Sequence, residues 1–297
     1  MTEPQVANIP MTATQVTFTQ PIHCLTSPVL YCLSHEHSSI LITAATPFHP
    51  ISHLWPDHPA DRGHITIDDV EHPLIDCLTG AWDCEQGRLF IDKDIPVKRC
   101  QAGWIFVVVH RIQGQLATPI GTQVQLSVDT HYQQALSRGH SGAHLAALAL
   151  NKVLHHDYWR KAPTRIDALG HFDFHNYAEE TSVVSQDQCV DRYRLGKTLK
   201  KRGFNSDSFI QDLPQVTKRV NQQLQQWRDS GVDIGFVREG ECLSDSRYWQ
   251  TTLDEQLVSM PCGGTHVQSM RDLGALTVEL SLTTEGHIDM VTHTACP

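Results

Sequence analysis

The hydrophobic rhythm of this chain changes near Asp129, and that change constrains the fold more than any other feature. From residue 15 to about 128 the chain offers short β-branched or alternating segments: QVTFTQ, PVLYCLSH, SSILITAA, HITIDDV, RLFIDKDIPV, WIFVVVHRI and GTQVQLSVD. Pro, Gly, Asp and Asn punctuate them, the rhythm of an antiparallel sheet or small barrel. After Asp129 the segment HYQQALSRGHSGAHLAALALNKVL places Ala143, Ala147, Leu150 and Leu154 on one face at helical spacing. A second helix is expected over Leu213–Trp227, opening near Pro214. ALTVELSL (275–282) and HIDMVTHT (287–294) read as closing strands. The fold class that follows is α+β: an antiparallel, β-barrel-like N-terminal domain over 1–128, then a mixed domain over 129–297 with helices packed on an antiparallel sheet.

Two domains suit 297 residues, since each is long enough to bury its own core. The nine cysteines are odd in number, scattered and without a CxxC pair, a pattern of reduced thiols. No basic region followed by an apolar core opens the chain, and no apolar run approaches the ~20 residues of a membrane span. A cytoplasmic location without membrane attachment is therefore expected. A formal charge of −10 argues against a uniformly basic, DNA-coating surface. The charge is nevertheless segregated. Arg192, Arg194, Lys197, Lys200, Lys201 and Arg202 fall in one acid-free stretch, and the rest of the chain carries 17 basic against 33 acidic residues. Such a stretch reads either as a solvated helix face or as a contact for a polyanion.

Nineteen histidines are the other unusual figure, and two pairings stand out among them. His140 and His144 lie one turn apart on the expected helix, so both imidazoles leave the same face. Cys262 and His266 bracket Gly263-Gly264-Thr265, where two glycines favour a tight turn. Three imidazole nitrogens and one thiolate make a tetrahedral zinc set.

RGHSGAHLAALAL (138–150), HFDF (171–174), the helix holding Val220-Asn221, and PCGGTHVQSMRDLGAL (261–276) resemble, in the same order, the editing domain of alanyl-tRNA synthetase. They are more similar still to its free-standing relatives that deacylate mischarged alanine tRNA. The resemblance implies a metal-dependent editing domain that hydrolyses the ester of Ser- or Gly-charged alanine tRNA in trans. It places His140, His144 and Cys262 on the family's zinc ligands and His266 on its last motif histidine, a fourth ligand or a proton shuttle. Ser141 follows the first histidine, where these proteins commonly carry a threonine whose hydroxyl helps to recognise serine. Bound zinc suits the reaction because it polarises a carbonyl and activates water near neutral pH. An editing step is needed because an alanine pocket excludes glycine by only ~1–3 kcal/mol.

The chain departs from the pattern in two places. FHPISHLWPDHPADRG (48–63) stands where the family carries Phe-Tyr-Pro-Glu-Gly-Gly-Gly-Gln-Pro, and His58 precedes Pro59 where the glutamine would be. His58 is accordingly a candidate beside the bound amino acid. HSGAHL also resembles the threonyl-tRNA synthetase editing domain, which keeps Ser-charged threonine tRNA open as a substrate. Residues 177–212 read as an insertion whose basic segment contacts tRNA phosphates. Two rival functions remain: a zinc-stabilised RNA-binding module without catalysis, and a hydrolase of another ester or amide.

Overall fold

The computed structural model describes residues 11–34, 37–54 and 57–297; His35 and Glu36, a weak metal-corner candidate with His37, lie outside them. The chain divides into two units. One holds the chain through Gln133 together with Arg238–Ser246, and the other holds Gln134–Val237 with Arg247–Pro297. The boundary near Asp129 thus lies within a few residues of the first division, whereas the return of 238–246 to the N-terminal unit has no sequence signal. Backbone hydrogen bonds hold it there, from Val16 N–H to the Glu241 carbonyl (2.8 Å) and from Leu243 N–H to the Thr14 carbonyl (3.0 Å).

The first unit is built on strands β1 (Gln15–Val16), β2 (Cys24–Ser34), β3 (Ser38–Thr43), β4 (Ala45–Thr46), β5 (Gly63–Ile67), β6 (Val70–Asp83), β7 (Arg88–Ile91), β8 (Trp104–Gln113) and β9 (Gln123–Val128). Seven form an antiparallel sheet in the order β5-β9-β2-β3-β8-β6-β7, with β6 pairing back onto β5. The sheet is ring-like but not closed. β6 makes the bend: Val70–Pro73 pair with β5, Leu74–Asp83 pair with β8, and the register shifts between Leu74 and Asp76. Pro73 and the flanking acids hide this strand in the sequence, because its first half alternates while its second is buried on both faces. Asp68 and Asp69 (φ 48° and 64°) supply the left-handed two-residue turn that joins β5 to β6.

This unit buries ionisable groups as well as apolar ones. His110 is fully buried, with Nδ1 donating to the Leu41 carbonyl (3.1 Å) and Nε2 against Thr46 Oγ1 (2.8 Å). Burial pushes both His110 and His58 down to about 4. Burial raises Asp61 to about 7, although its carboxylate accepts His49 N–H and the Gln133 amide.

The second unit opens on α1 (Thr130–Leu154), followed by α2 (Phe174–Ala178), β10 (Glu179–Ser185), β11 (Gln188–Arg194), α3 (Lys197–Lys201), α4 (Ser206–Gln211), α5 (Leu213–Ser230), β12 (Ile234–Arg238), β13 (Arg247–Leu253), β14 (Gln256–Pro261), β15 (Ala275–Leu282) and β16 (His287–Ala295). Its four-stranded sheet runs β10-β11-β16-β15, and β12-β13-β14 form a separate three-stranded one. Helix α1 lies against the larger sheet at glycine distance. A Cβ on Gly142 would stand 2.7 Å from Thr294 Cγ2, and one on Gly139 would stand 2.7 Å from the Ser185 and Gln188 carbonyl oxygens. Helix α5 buries Val216, Val220, Leu224 and Trp227 in the same core. Its Asn221 amide pairs with both backbone groups of Val278 (2.7 and 2.9 Å), satisfying part of the edge strand β15.

Asp173 of HFDF is buried at the N-cap of α2, where it takes Asn176 N–H and an ion pair from Arg165 (2.8 Å). Within residues 177–212, β10 and β11 are two of the four strands of the larger sheet. Among the described residues no helix is long and apolar enough to cross a membrane.

Two measurements check this account. Gly142→Val places two further methyl groups on an already short contact and is expected to cost ~1–3 kcal/mol, read as a lowered Tm. For the buried ionisable groups, His58 and His110 each leave the unfolded chain with one more proton than the folded chain between pH 4 and 6.5, so stability falls on acidification. Asp61 opposes them, since its folded carboxyl stays protonated up to about 7 while the unfolded one ionises near 3.8. Asp61→Asn should therefore steepen the rise of stability with pH by one proton, ~1.4 kcal/mol per pH unit. An unchanged slope contradicts the assignment.

Candidate metal centre

Helix α1 supplies His140 and His144 one turn apart, and the segment after β14 supplies Cys262 and His266. That segment is pinned at both ends. Cys262 N–H donates to the Arg247 carbonyl (3.0 Å), Ile234 N–H donates to the Gln268 carbonyl (2.8 Å), and the Asp272 carboxylate takes Gln268 and Ser269 N–H. Ser269 and Asp272 form a capping box on the following single turn. Neither Gly263 nor Gly264 has a left-handed backbone, so the turn does not rest on that freedom. Gly264 is instead buried.

The four ligand atoms lie within 4.8 Å of one another. From Cys262 Sγ the distances are 3.1 Å to His266 Nε2, 3.3 Å to His144 Nε2 and 3.6 Å to His140 Nε2. In a tetrahedral zinc site, with bonds of ~2.0–2.1 Å to nitrogen and ~2.3 Å to sulfur, neighbouring nitrogen and sulfur ligands stand ~3.6 Å apart. The set therefore fits zinc in donor type and spacing. His140 Nδ1 faces the Thr265 carbonyl (3.2 Å) and must donate to it, which leaves Nε2 of the neutral ring as a lone pair aimed at the sulfur.

The surroundings favour neutral imidazoles. Burial, and then the nearby His175, push His144 down to about 4, so it is a ready ligand at pH 7. Its ring stacks on the fully buried Trp249 (centroids 5.3 Å, 24° between planes), and His140 stacks on His266 (4.1 Å, 24°). Phe236 closes another side of His266 (5.3 Å).

No family model matches the chain. Among curated proteins it is 24% identical over 167 residues to the alanyl-tRNA editing protein AlaX-M of Pyrococcus horikoshii, an alignment covering 56% of this chain and 59% of that protein. It is 24% identical over 166 residues to the alanine–tRNA ligase of Nocardia farcinica, covering 56% of this chain and 16% of the ligase. Both relatives place the chain's similarity with alanyl-tRNA editing proteins and the corresponding synthetase. The chain spans a little over half the length of the first relative and a small part of the second.

The other residues singled out in the sequence fall outside the cluster or serve it indirectly. His58 lies in the first unit, buried rather than on a solvated loop. Its Nδ1 donates to the Pro59 carbonyl (2.8 Å) and its ring meets His49 (4.4 Å). Ser141 is fully buried, with its hydroxyl 3.0 Å from His266 Nδ1 and accepting Val267 N–H (3.1 Å). The basic stretch is not one helix face. Arg192 and Arg194 end β11, paired with Asp289 (2.7 Å) and Glu180 (3.2 Å), and Lys200 on α3 faces Asp207 (3.5 Å). Lys197, Lys201 and Arg202 form no ion pair among the described residues, and Arg202 lies over the Tyr177 ring (4.3 Å). Trp249, Phe236 and the Thr265 carbonyl were not legible as site groups, because aromatic packing and a backbone oxygen carry no ligand signature.

Zinc added at 100 times its Kd is expected to stabilise the chain by ~2.7 kcal/mol at one ion per chain. Cys262→Ala should abolish most of that gain. A Tm indifferent to zinc and to the chelator would show that the four residues hold no metal.

Proposed function

We propose that this chain hydrolyses the ester of a mischarged aminoacyl-tRNA in trans, with Ser- or Gly-charged alanine tRNA as its substrate. The single observation that carries the reading is the convergence of His140, His144, Cys262 and His266 in a chain related to alanyl-tRNA editing proteins. A zinc ion held there would supply Lewis acidity toward the ester carbonyl and toward water at neutral pH.

The protein's own groups define the rest of the site. His140 is fixed by Thr265, and His144 is kept neutral by burial and oriented by Trp249. Both nitrogens of His266 are engaged, Nε2 toward the sulfur and Nδ1 toward Ser141, which favours a ligand over a proton shuttle. His58, neutral at pH 7 and with Nδ1 committed to Pro59, is the residue assigned to the position of the family's glutamine. His58→Ala should then alter KM or kcat.

The tRNA phosphates are assigned first to Lys197, Lys201 and Arg202, which form no ion pair among the described residues. Arg192, Arg194 and Lys200 contribute less, because each already faces an acid. Replacing the first three by glutamine is expected to weaken binding and reduce the slope of log K against log salt by ~0.7–0.9 for each phosphate that is no longer neutralised. The same change at Arg192, Arg194 and Lys200 should do less.

A second reading has its own support. Four protein ligands fill a tetrahedral zinc site, the pattern of a closed structural centre in an RNA-binding module. Deacylation assays separate the two. Ser-charged, Gly-charged and correctly charged alanine tRNA, with Ser-charged threonine tRNA as the comparison that HSGAHL calls for, are incubated with wild type, chelated protein and Cys262→Ala. Metal-dependent loss of serine or glycine from alanine tRNA is the expected result. Binding of all four without hydrolysis would leave the module.

A further inference from the structure

We propose that Ser141 is a positioning residue of the metal centre, holding His266 from the far side rather than reading the substrate. The proposal rests on the metal reading of the four clustered residues and concerns which neighbours prepare them.

The helix and the turn brace each other reciprocally. From the turn, the Thr265 carbonyl accepts the Nδ1 proton of His140 on the helix (3.2 Å). From the helix, the Ser141 hydroxyl meets Nδ1 of His266 on the turn (3.0 Å) and accepts Val267 N–H (3.1 Å). Adjacent residues of α1 thus engage adjacent residues of the turn in both directions, and each ligand is met at its Nδ1. When His266 Nε2 gives its lone pair to a metal, Nδ1 must carry the ring proton, and the Ser141 oxygen is the group placed to accept it. Thr265 plays the same part for His140.

Burial assigns the hydroxyl to this task. Ser141 has no exposed surface, His140 and Thr265 are nearly as enclosed, and the oxygen already has two protein partners. A hydroxyl so placed does not meet the side chain of an incoming aminoacyl group. Discrimination between serine and alanine must then come from other groups, and the hydroxyl after the first histidine serves the metal ligand instead. Either serine or threonine supplies that oxygen, whereas alanine does not.

The test measures zinc affinity by competition with a chromogenic chelator and the ring ¹⁵N shifts of His266 in the zinc-loaded chain. The chains compared are wild type, Ser141→Ala, Ser141→Thr and the double variant Ser141→Ala/His266→Gln. Ser141→Ala should bind zinc about 10–100-fold more weakly with its circular dichroism unchanged. Its His266 Nδ1 resonance should move as the hydrogen bond disappears. Ser141→Thr should restore both. In the His266→Gln background the serine should no longer matter. Wild-type zinc affinity in Ser141→Ala, with an unmoved His266 resonance, overturns the positioning role and leaves the metal centre standing. Failure of the wild type to bind zinc removes the metal reading, and the positioning role with it. Should Ser141→Ala not fold, the comparison of Ser141→Thr with Ser141→Cys decides, since only a hydroxyl oxygen accepts well from both N–H groups.

Discussion

Three imidazole nitrogens brought within 3.6 Å of one sulfur form the interaction on which this molecule's second unit depends. A cation between them would draw all four donor atoms to one point, so their assembly is a constraint that the fold has to meet. The chain meets it with two rigid pieces. A long helix carries two of the candidate ligands at one-turn spacing, and a turn pinned by Arg247, Ile234 and Asp272 carries the other two. The helix can reach the turn because Gly139 and Gly142 bring its axis down onto the sheet, where a Cβ would meet Thr294 or the backbone of the β10–β11 turn.

The same constraint explains what surrounds the ligands. Imidazoles that are to bind metal must be neutral and must present a chosen nitrogen. Burial lowers the proton affinity of His144, and Thr265 and Ser141 take the Nδ1 positions of His140 and His266. Trp249 and Phe236 pack the rings in place. None of these neighbours ligates, yet each restricts how a ligand can turn.

Much of this was legible in the sequence, for reasons that differ from place to place. HxxxH on a segment of helical period and CxxxH after a strand are local patterns, so the residues of the cluster, α1, α5 and the closing strands β15 and β16 could be read directly. What could not be read depends on distant pairing. β6 is obscured by Pro73 and its acids because it changes partners midway, and 238–246 returns to the first unit through backbone bonds that any sequence can make. Asp173 gives no sign within HFDF of its role as an N-cap, which is set by Asn176 and Arg165. The basic segment showed its charge but not its compensation, since Asp289 lies far along the chain from Arg192.

The central claim is that the helix and the turn meet on one metal ion through three nitrogens and one sulfur. Zinc K-edge X-ray absorption on the zinc-loaded protein tests it most directly. The account predicts a first shell of three nitrogen scatterers at ~2.0–2.1 Å and one sulfur at ~2.3 Å, with the sulfur missing in Cys262→Ala. A shell of oxygen and nitrogen alone in the wild type, or a sulfur that persists in Cys262→Ala, would contradict it.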